Sequence, residues 1–418
     1  MPFFDQYASG VMTAIGFFWN ALWAFVMGYA ISAAIQVFIP KKHLTRHMGN
    51  DGIHSIGLAS LFGAISSSCS FAALSAARSL FQKGAHFIAT VAFMFASTNL
   101  VIELGVLIFL FLGWEYLAAE IAGGILMIAI STILFRLTYP KSLIEKAKCH
   151  ADEAARQEDD DDFDWKDRLF SITGWQNVGN RFVMEWQMVW REILIGFTIA
   201  GFIAVFVPDH VWQTLFLAND STSNSADLPF LTVLENAVIA PFVAAATFIG
   251  SMGNIPLATV LSAGGVSFAG IMGFIYSDLM VPPLVRVNAR YYGWKTALYI
   301  AGIMYISIVV TALTLHYSYV LIGIMPEGSR DIAEISGFKI NYTFFLNLGA
   351  FGLTGMFLWL RRQKQHAADQ DDDHQDNSHD HHHHTHDDGG SILSLKNILV
   401  AGILTALAVG LVIKVFQM

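Results

Sequence analysis

Apolar runs of about 20 residues, each long enough to cross a hydrocarbon core of about 30 Å, recur from one end of the sequence to the other. That recurrence excludes an ordinary soluble fold. Of the 418 residues, 14% are charged, where soluble chains carry roughly 25%. The chain reads as an all-α polytopic protein of the inner (plasma) membrane, with the lipid bilayer as its first partner. Its net charge of −9 is concentrated in two hydrophilic stretches, around 159–167 and 369–388, and no basic face exists for a nucleic acid. Cys69 and Cys149 fall in different environments and give no disulfide framework. The first apolar run has no basic n-region and no cleavage site, so it reads as a retained span.

Basic residues beside a span favour the cytoplasmic side, and they orient the chain. The tail before the first span (11–39) lacks Lys and Arg, whereas Lys41, Lys42 and Arg46 follow it, so the N-terminus is expected outside. Residues 52–82 are rich in Gly, Ala and Ser, long for one crossing and short for two. With Arg78 and Lys83 near their end, they read as a re-entrant pair of half-helices. Residues 85–113 then cross outward and 116–137 inward. The loop 139–190 holds Lys141, Lys146, Lys148 and Arg181 and reads as cytoplasmic. Its acidic run suggests solvated chain, and Trp165, Trp175, Phe182, Trp186 and Trp190 suggest segments along the membrane interface. Residues 191–207 cross outward, 230–264 form a second re-entrant element entering from outside, and 266–287 return inward. Spans at 294–315, 342–360 and 395–416 follow and put the C-terminus outside. The total is about eight full spans, or about ten if both interrupted elements cross.

The halves run in opposite senses, the inverted-topology repeat of many secondary transporters. The chain divides into a first repeat (1–138), the cytoplasmic loop (139–190), a second, inverted repeat (191–317), an external loop with an added span (318–360), a cytoplasmic His/Asp-rich loop (361–394) and a last span (395–418). Setting Ala73-Leu74 opposite Pro256-Leu257 puts Cys69 opposite Met252. After a two-residue gap Lys83-Gly84 faces Gly264-Gly265, and Ser97 faces Asp278.

At these residues, most closely in SSSCSFAALSAARSLFQKGA, FMFASTNLVIE and GSMGNIPLATVLSAGGVSFAGIMGFIYSDL, the sequence resembles the ArsP-type predicted permeases, the family containing organoarsenical-efflux permeases. The resemblance runs over roughly residues 8–317 and implies the fold and the transport class. Members often read Cys-Ser-Cys-Gly-x-x-Pro-Leu where this chain has Ser67-Ser68-Cys69-Ser70-Phe71-Ala72-Ala73-Leu74. A thiol-pair site for trivalent arsenic is therefore not implied.

Cys69 is the sharpest substrate-binding candidate, because a thiolate binds soft metals and metalloids; Met252 supplies a second sulfur. Both also fit the bland role of small or adaptable packing residues. Ser67, Ser68, Ser70, Ser251, Asn254 and Asn99 offer hydroxyl and amide contacts, or bond the interrupted backbone itself. Ionisable residues inside spans are functional candidates by default, so Asp278, Glu103 and Glu235 are candidates for proton coupling, with ion pairing to Arg78 or Arg286 as the structural alternative. Gly63, Gly84, Gly250, Gly253, Pro256, Gly264 and Gly265 supply the sharp backbone of a broken helix. His379, His381, His382, His383, His384 and His386 could bind Zn²⁺, Ni²⁺ or Cu²⁺, or form a solvated linker. No cofactor is required.

The expectation is a permease exporting a soft metal, metalloid or organo-metalloid by alternating access, with a small organic or sulfur-containing anion as the rival cargo. A membrane metal sensor and an intramembrane enzyme are the readings of another class; a homo-oligomer is open.

Overall fold

The computed structural model describes residues 2–38, 48–66, 70–153, 170–216, 228–247, 249–326, 332–338, 340–372 and 390–417. Among them the regular structure is all helical. In chain order it comprises α1 (Pro2–Phe38), α2 (Ile53–Ser66), α3 (Ser70–Gln82), α4 (Phe87–Asn99), α5 (Ile102–Phe111), α6 (Trp114–Thr138), α7 (Lys141–Glu153), α8 (Ile172–Phe206) and α9 (Asp209–Leu215). There follow α10 (Phe230–Thr247), α11 (Ser251–Ala263), α12 (Phe268–Ile275), a 3₁₀ turn (Asp278–Met280), α13 (Pro282–Tyr292), α14 (Trp294–Ile322), α15 (Ile332–Ile335), α16 (Tyr342–Asp372) and α17 (Gly390–Gln417).

Eight described stretches are long and apolar enough to cross a bilayer. The number agrees with the expectation, but the membership differs. Phe230–Thr247, expected inside a half-crossing element, is 18 residues long and qualifies by itself. Residues 266–287, expected as one span, are divided into α12, the 3₁₀ turn and α13. Pro282 explains the division: it forces the preceding residue out of the helical region, and Val281 is extended (φ −59°, ψ 132°). A proline is then well placed to open the next helix. The span Phe87–Phe111 is likewise interrupted, with Val101 extended between α4 and α5. Just before that break Thr98 Oγ1 donates to Phe95 O (3.2 Å) and Asn99 Nδ2 donates to the same carbonyl (3.0 Å). Such side chains compete with the backbone for its acceptors.

Of the residues expected along the interface, Trp165 lies outside the described residues, and Trp175, Phe182, Trp186 and Trp190 belong to the first part of α8. Ser171 Oγ caps it by accepting from Gly174 N at 3.0 Å, and it continues for 35 residues, about 52 Å at 1.5 Å per residue. A boundary at 190 therefore falls inside a helix. Trp186 meets Tyr29 edge-on and Phe182 packs on Phe357. Helices α1 and α8 lie along each other. A methyl group on Gly201 would stand 2.6 Å from Ala14 N, the close approach that small residues permit between membrane helices. Helix α16 docks on this pair through Asn347, which is fully buried. Its Nδ2 donates to Trp19 O (2.8 Å) and its Oδ1 accepts from Trp23 N (2.9 Å), so one amide inserts into the backbone ladder of α1.

The two interrupted stretches share a backbone plan. Helices end at Ser66 and Thr247, start at Ser70 and Ser251, end at Gln82 and Ala263, and restart at Phe87 and Phe268, each pair 181 positions apart. The turns between agree as well. Gly84 and Gly265 have φ of 97° and 86°, a region that favours glycine. Ala85 N donates to Leu80 O (3.0 Å), and Val266 N to Leu261 O (3.2 Å). Gly264 has an ordinary φ of −76°. Gly253 and Pro256, expected to break the chain, lie inside α11; the interruption comes earlier, at Gly250. On this spacing Ser70 corresponds to Ser251, and position 69 corresponds to Gly250 rather than Met252.

Candidate functional site

The starts of α3 and α11, the break between α4 and α5, and the facing sides of α1 and α8 converge on one cavity. Ser70 and Ser251 line it from the two helix starts, Thr98 and Glu103 from either side of the break, and Glu192 and Met252 beside Ser251. About 20 Å³ is open to the centre of a water molecule, room for about one. Anything larger passes only if these helices move apart.

Two carboxylates face this space and no basic side chain does, among the described lining. Glu192 lies against Gly250, where an added methyl would stand 2.6 Å from Oε2, so its charge meets the positive end of α11. Gly196 of α8 and Gly253 of α11 let those helices close beneath it; a methyl on Gly196 would stand 2.5 Å from Gly253 Cα. Glu103 is 2% exposed and packs over Gly28 of α1.

Asp278 is fully buried behind the cavity wall. Its Oδ2 accepts from Ser70 Oγ at 3.0 Å and its Oδ1 from Leu279 N at 2.7 Å. Ser70 thus touches both the cavity and the acid. The alternative partner Arg78 is placed over the Tyr291 ring, 4.7 Å from its centre.

The structure brings Ser70, Ser251, Met252, Gly250, Gly253 and Glu103 to the cavity, with Asp278 one hydrogen bond away. Other candidates are engaged with groups outside the cavity lining or beside it. Asn99 is occupied with Phe95 O and Thr98 Oγ1, and Asn254 Oδ1 accepts from Thr247 Oγ1 at 3.4 Å. Glu235 stands apart, half-buried, accepting from Asn236 Nδ2 at 3.0 Å. Gly63 fits against Phe93 O, where a side chain would collide, and so lets α2 close on α4. Ser67, Ser68, Cys69 and the tract from His379 to His386 lie outside the described residues.

Sequence reasoning missed Glu192, Thr98 and Tyr29 of the lining, and the buried Glu120 of α6. Glu192 follows Arg191 in the sequence and therefore resembles the charged edge of a span. Only the earlier start of α8 carries it inside.

No solved structure matches the chain. A protein of Mycobacterium tuberculosis named "Putative permease Rv2963" is 37% identical over 312 residues, which cover 72% of this chain and 75% of that relative. Residues 8–317, which contain every helix around the cavity, match the family ArsP_1, described as "Predicted permease". On a match of that extent, the chain belongs to the ArsP_1 family of predicted permeases.

Proposed function

We propose that the chain is a secondary transporter, working by alternating access between two inverted halves and exporting a soft metal, metalloid or organo-metalloid species. The observation that carries the reading is the meeting of two helix starts, at Ser70 and Ser251, on one carboxylate-lined cavity beside buried Asp278. The constant spacing of 181 supports a duplicated unit. So does the packing, in which α5 lies on α11 and α13 on α3, as a pseudo-two-fold axis between the halves would require. In transporters of this construction the ligand sits where the repeats meet, held by half-helix ends and unwound backbone.

Met252 brings a thioether to the cavity, and Cys69 precedes the lining residue Ser70 in sequence. Soft sulfur ligands select soft metals and metalloids. The described lining offers two carboxylates and no basic side chain, which weighs against a small anion as cargo. Asp278 and Glu103 are the coupling acids of this reading, since an ionised carboxylate is costly in the membrane interior and a protonated one much less so.

Membership of a permease family implies transport rather than an enzyme. Uptake into everted vesicles, with a panel of soft metals, methylated arsenicals and small anions, tests the cargo. Uptake of a metal or arsenical that falls in Cys69→Ser and Met252→Leu supports the proposal. Uptake confined to anions and unchanged in both variants overturns it, and binding without any flux identifies a sensor instead.

A further inference from the structure

Glu120 lies in the second turn of α6, 2% exposed, and neither of its carboxyl oxygens has a hydrogen-bond partner among the described residues. An acid buried in this way is costly to ionise without a cation or donor beside it. An aliphatic side chain would fill the space without that cost.

Its surroundings offer acids and neutral groups. The end of α12 packs on α6 through Tyr276, whose hydroxyl donates to Ala119 O at 2.8 Å and approaches Glu120 O at 3.4 Å. Gly123 leaves room for that ring; a side chain there would collide with the Tyr276 hydroxyl. Two residues further on is Asp278, itself fully buried. On α6 itself Glu115 and Tyr116 lie one turn earlier; of the other elements packed on it, α14 carries Lys295, Tyr299, Tyr305, His316, Tyr317 and Tyr319, α5 carries Glu103, and α4 carries no titratable side chain. Asp278 in turn holds Ser70, which lines the cavity. Ser70 is thus bonded to Asp278, and Tyr276, two residues before Asp278, is anchored on the backbone beside Glu120.

We propose that Glu120 is a second proton-carrying site of the transport cycle, sharing one proton with Asp278; this rests on the transporter reading above. With one proton between them the pair bears a single negative charge wherever that proton resides. In the transfer, the O–H bond at the Asp278 carboxyl breaks and an O–H bond forms at a Glu120 oxygen, directly or through one water. Asp278 is left ionised, with Ser70 Oγ and Leu279 N donating to it. The reverse transfer restores the pair.

Infrared difference spectra of the full-length protein in lipid nanodiscs, taken across a pH titration, test this without any cargo. The expected result is a carboxylic-acid carbonyl signal that disappears in Glu120→Gln and whose midpoint moves by about one pH unit or more in Asp278→Asn. A Glu120→Gln titration that superimposes on the wild type overturns the proposal. Should that variant fail to fold, Glu120→Asp keeps an acid at the position. A carbonyl signal at a shifted frequency is expected from it, and an unshifted one overturns the assignment. In proteoliposomes, methylarsenite uptake driven by a pH gradient should lose its dependence on that gradient in Glu120→Gln; an intact dependence also overturns the proposal. Failure of the wild type to move any probe in the panel removes the transporter reading, while the infrared titration separately decides whether the two acids share a proton.

Discussion

Ser70 Oγ donates to Asp278 Oδ2 at 3.0 Å, which ties the first residue of α3 to the 3₁₀ turn between α12 and α13, 208 positions away in sequence. The bond joins the two halves of the chain at their interrupted elements. Ser70→Ala leaves the buried acid without its hydroxyl donor, which should cost about 1–3 kcal/mol. A lowered unfolding temperature in nanodiscs, restored by Ser70→Thr, is the expected result; unfolding at the wild-type temperature would show the bond to be incidental.

Glu192 and Glu103 are the two carboxyl groups that line the cavity, placed to meet a cationic cargo of the proposed transporter. Glu192→Gln and Glu103→Gln each remove one charge from the lining while keeping its shape. A cationic cargo held by either group should lose about tenfold or more in apparent affinity, since a hydrogen bond to a charged group contributes about 1.5–3 kcal/mol. Competition for uptake among cationic, neutral and anionic probes reads this directly. Unchanged rank and affinity in both variants would remove the carboxylates from cargo selection.

Crossing of α8 and α11 depends on two glycines. Gly196→Val forces a side chain into Gly253 Cα, and overpacking of this kind costs about 1–3 kcal/mol. Gly302→Ala is the control, because no atom lies within 4 Å of the added methyl and a helical Gly→Ala change gains about 0.5–1 kcal/mol. Thermal unfolding of the two variants should shift in opposite directions.

His86 gives the start of α4 a pH response. Its Nδ1 accepts from Ile88 N at 3.3 Å as the helix cap, and its ring stacks on Tyr139. Burial lowers its pKa below the ordinary 6.5, the Asp51 charge opposing this and the Arg136 charge adding to it. The unfolded chain thus takes up the proton first, and the cap's contribution is present above pH 6.5 and lost as pH falls from there toward the folded-state value. Hydrogen exchange in the first turn of α4, corrected for intrinsic rates, should accelerate over that range. The acceleration should vanish in His86→Asn, which can cap without titrating; its persistence there would place the response on another group.

The sequence was most informative where one residue type has one physical use. Gly84 and Gly265 were readable as turns because a positive φ favours glycine, and both occupy that region. The basic residues and apolar runs likewise foretold the number of spans. Breaks within the crossing helices were harder to see, because the polar residues at them, Thr98-Asn99 and Ser277-Asp278, read equally well as functional side chains inside continuous spans. What interrupts those helices is side-chain competition at Thr98 and Asn99 and the ring of Pro282. Pro256 misled for the converse reason: it sits in the second turn of α11, and the helix runs through it. The pairing of Cys69 with Met252 rests on setting Ala73-Leu74 opposite Pro256-Leu257, two positions off the one spacing that the helix ends keep throughout. Glu120 shares α6 with Glu115 and Glu192 shares α8 with Glu185, and only the packing distinguishes them from acids at a span's edge.

A chain of hydrogen-bonded waters conducts protons, and a membrane that holds such a chain loses its electrochemical gradient. The space between Ser70 and Ser251 takes about one water, too few to form a conducting thread. Widening this one point, with Met252→Ala for example, should show first as a proton leak in cargo-free liposomes.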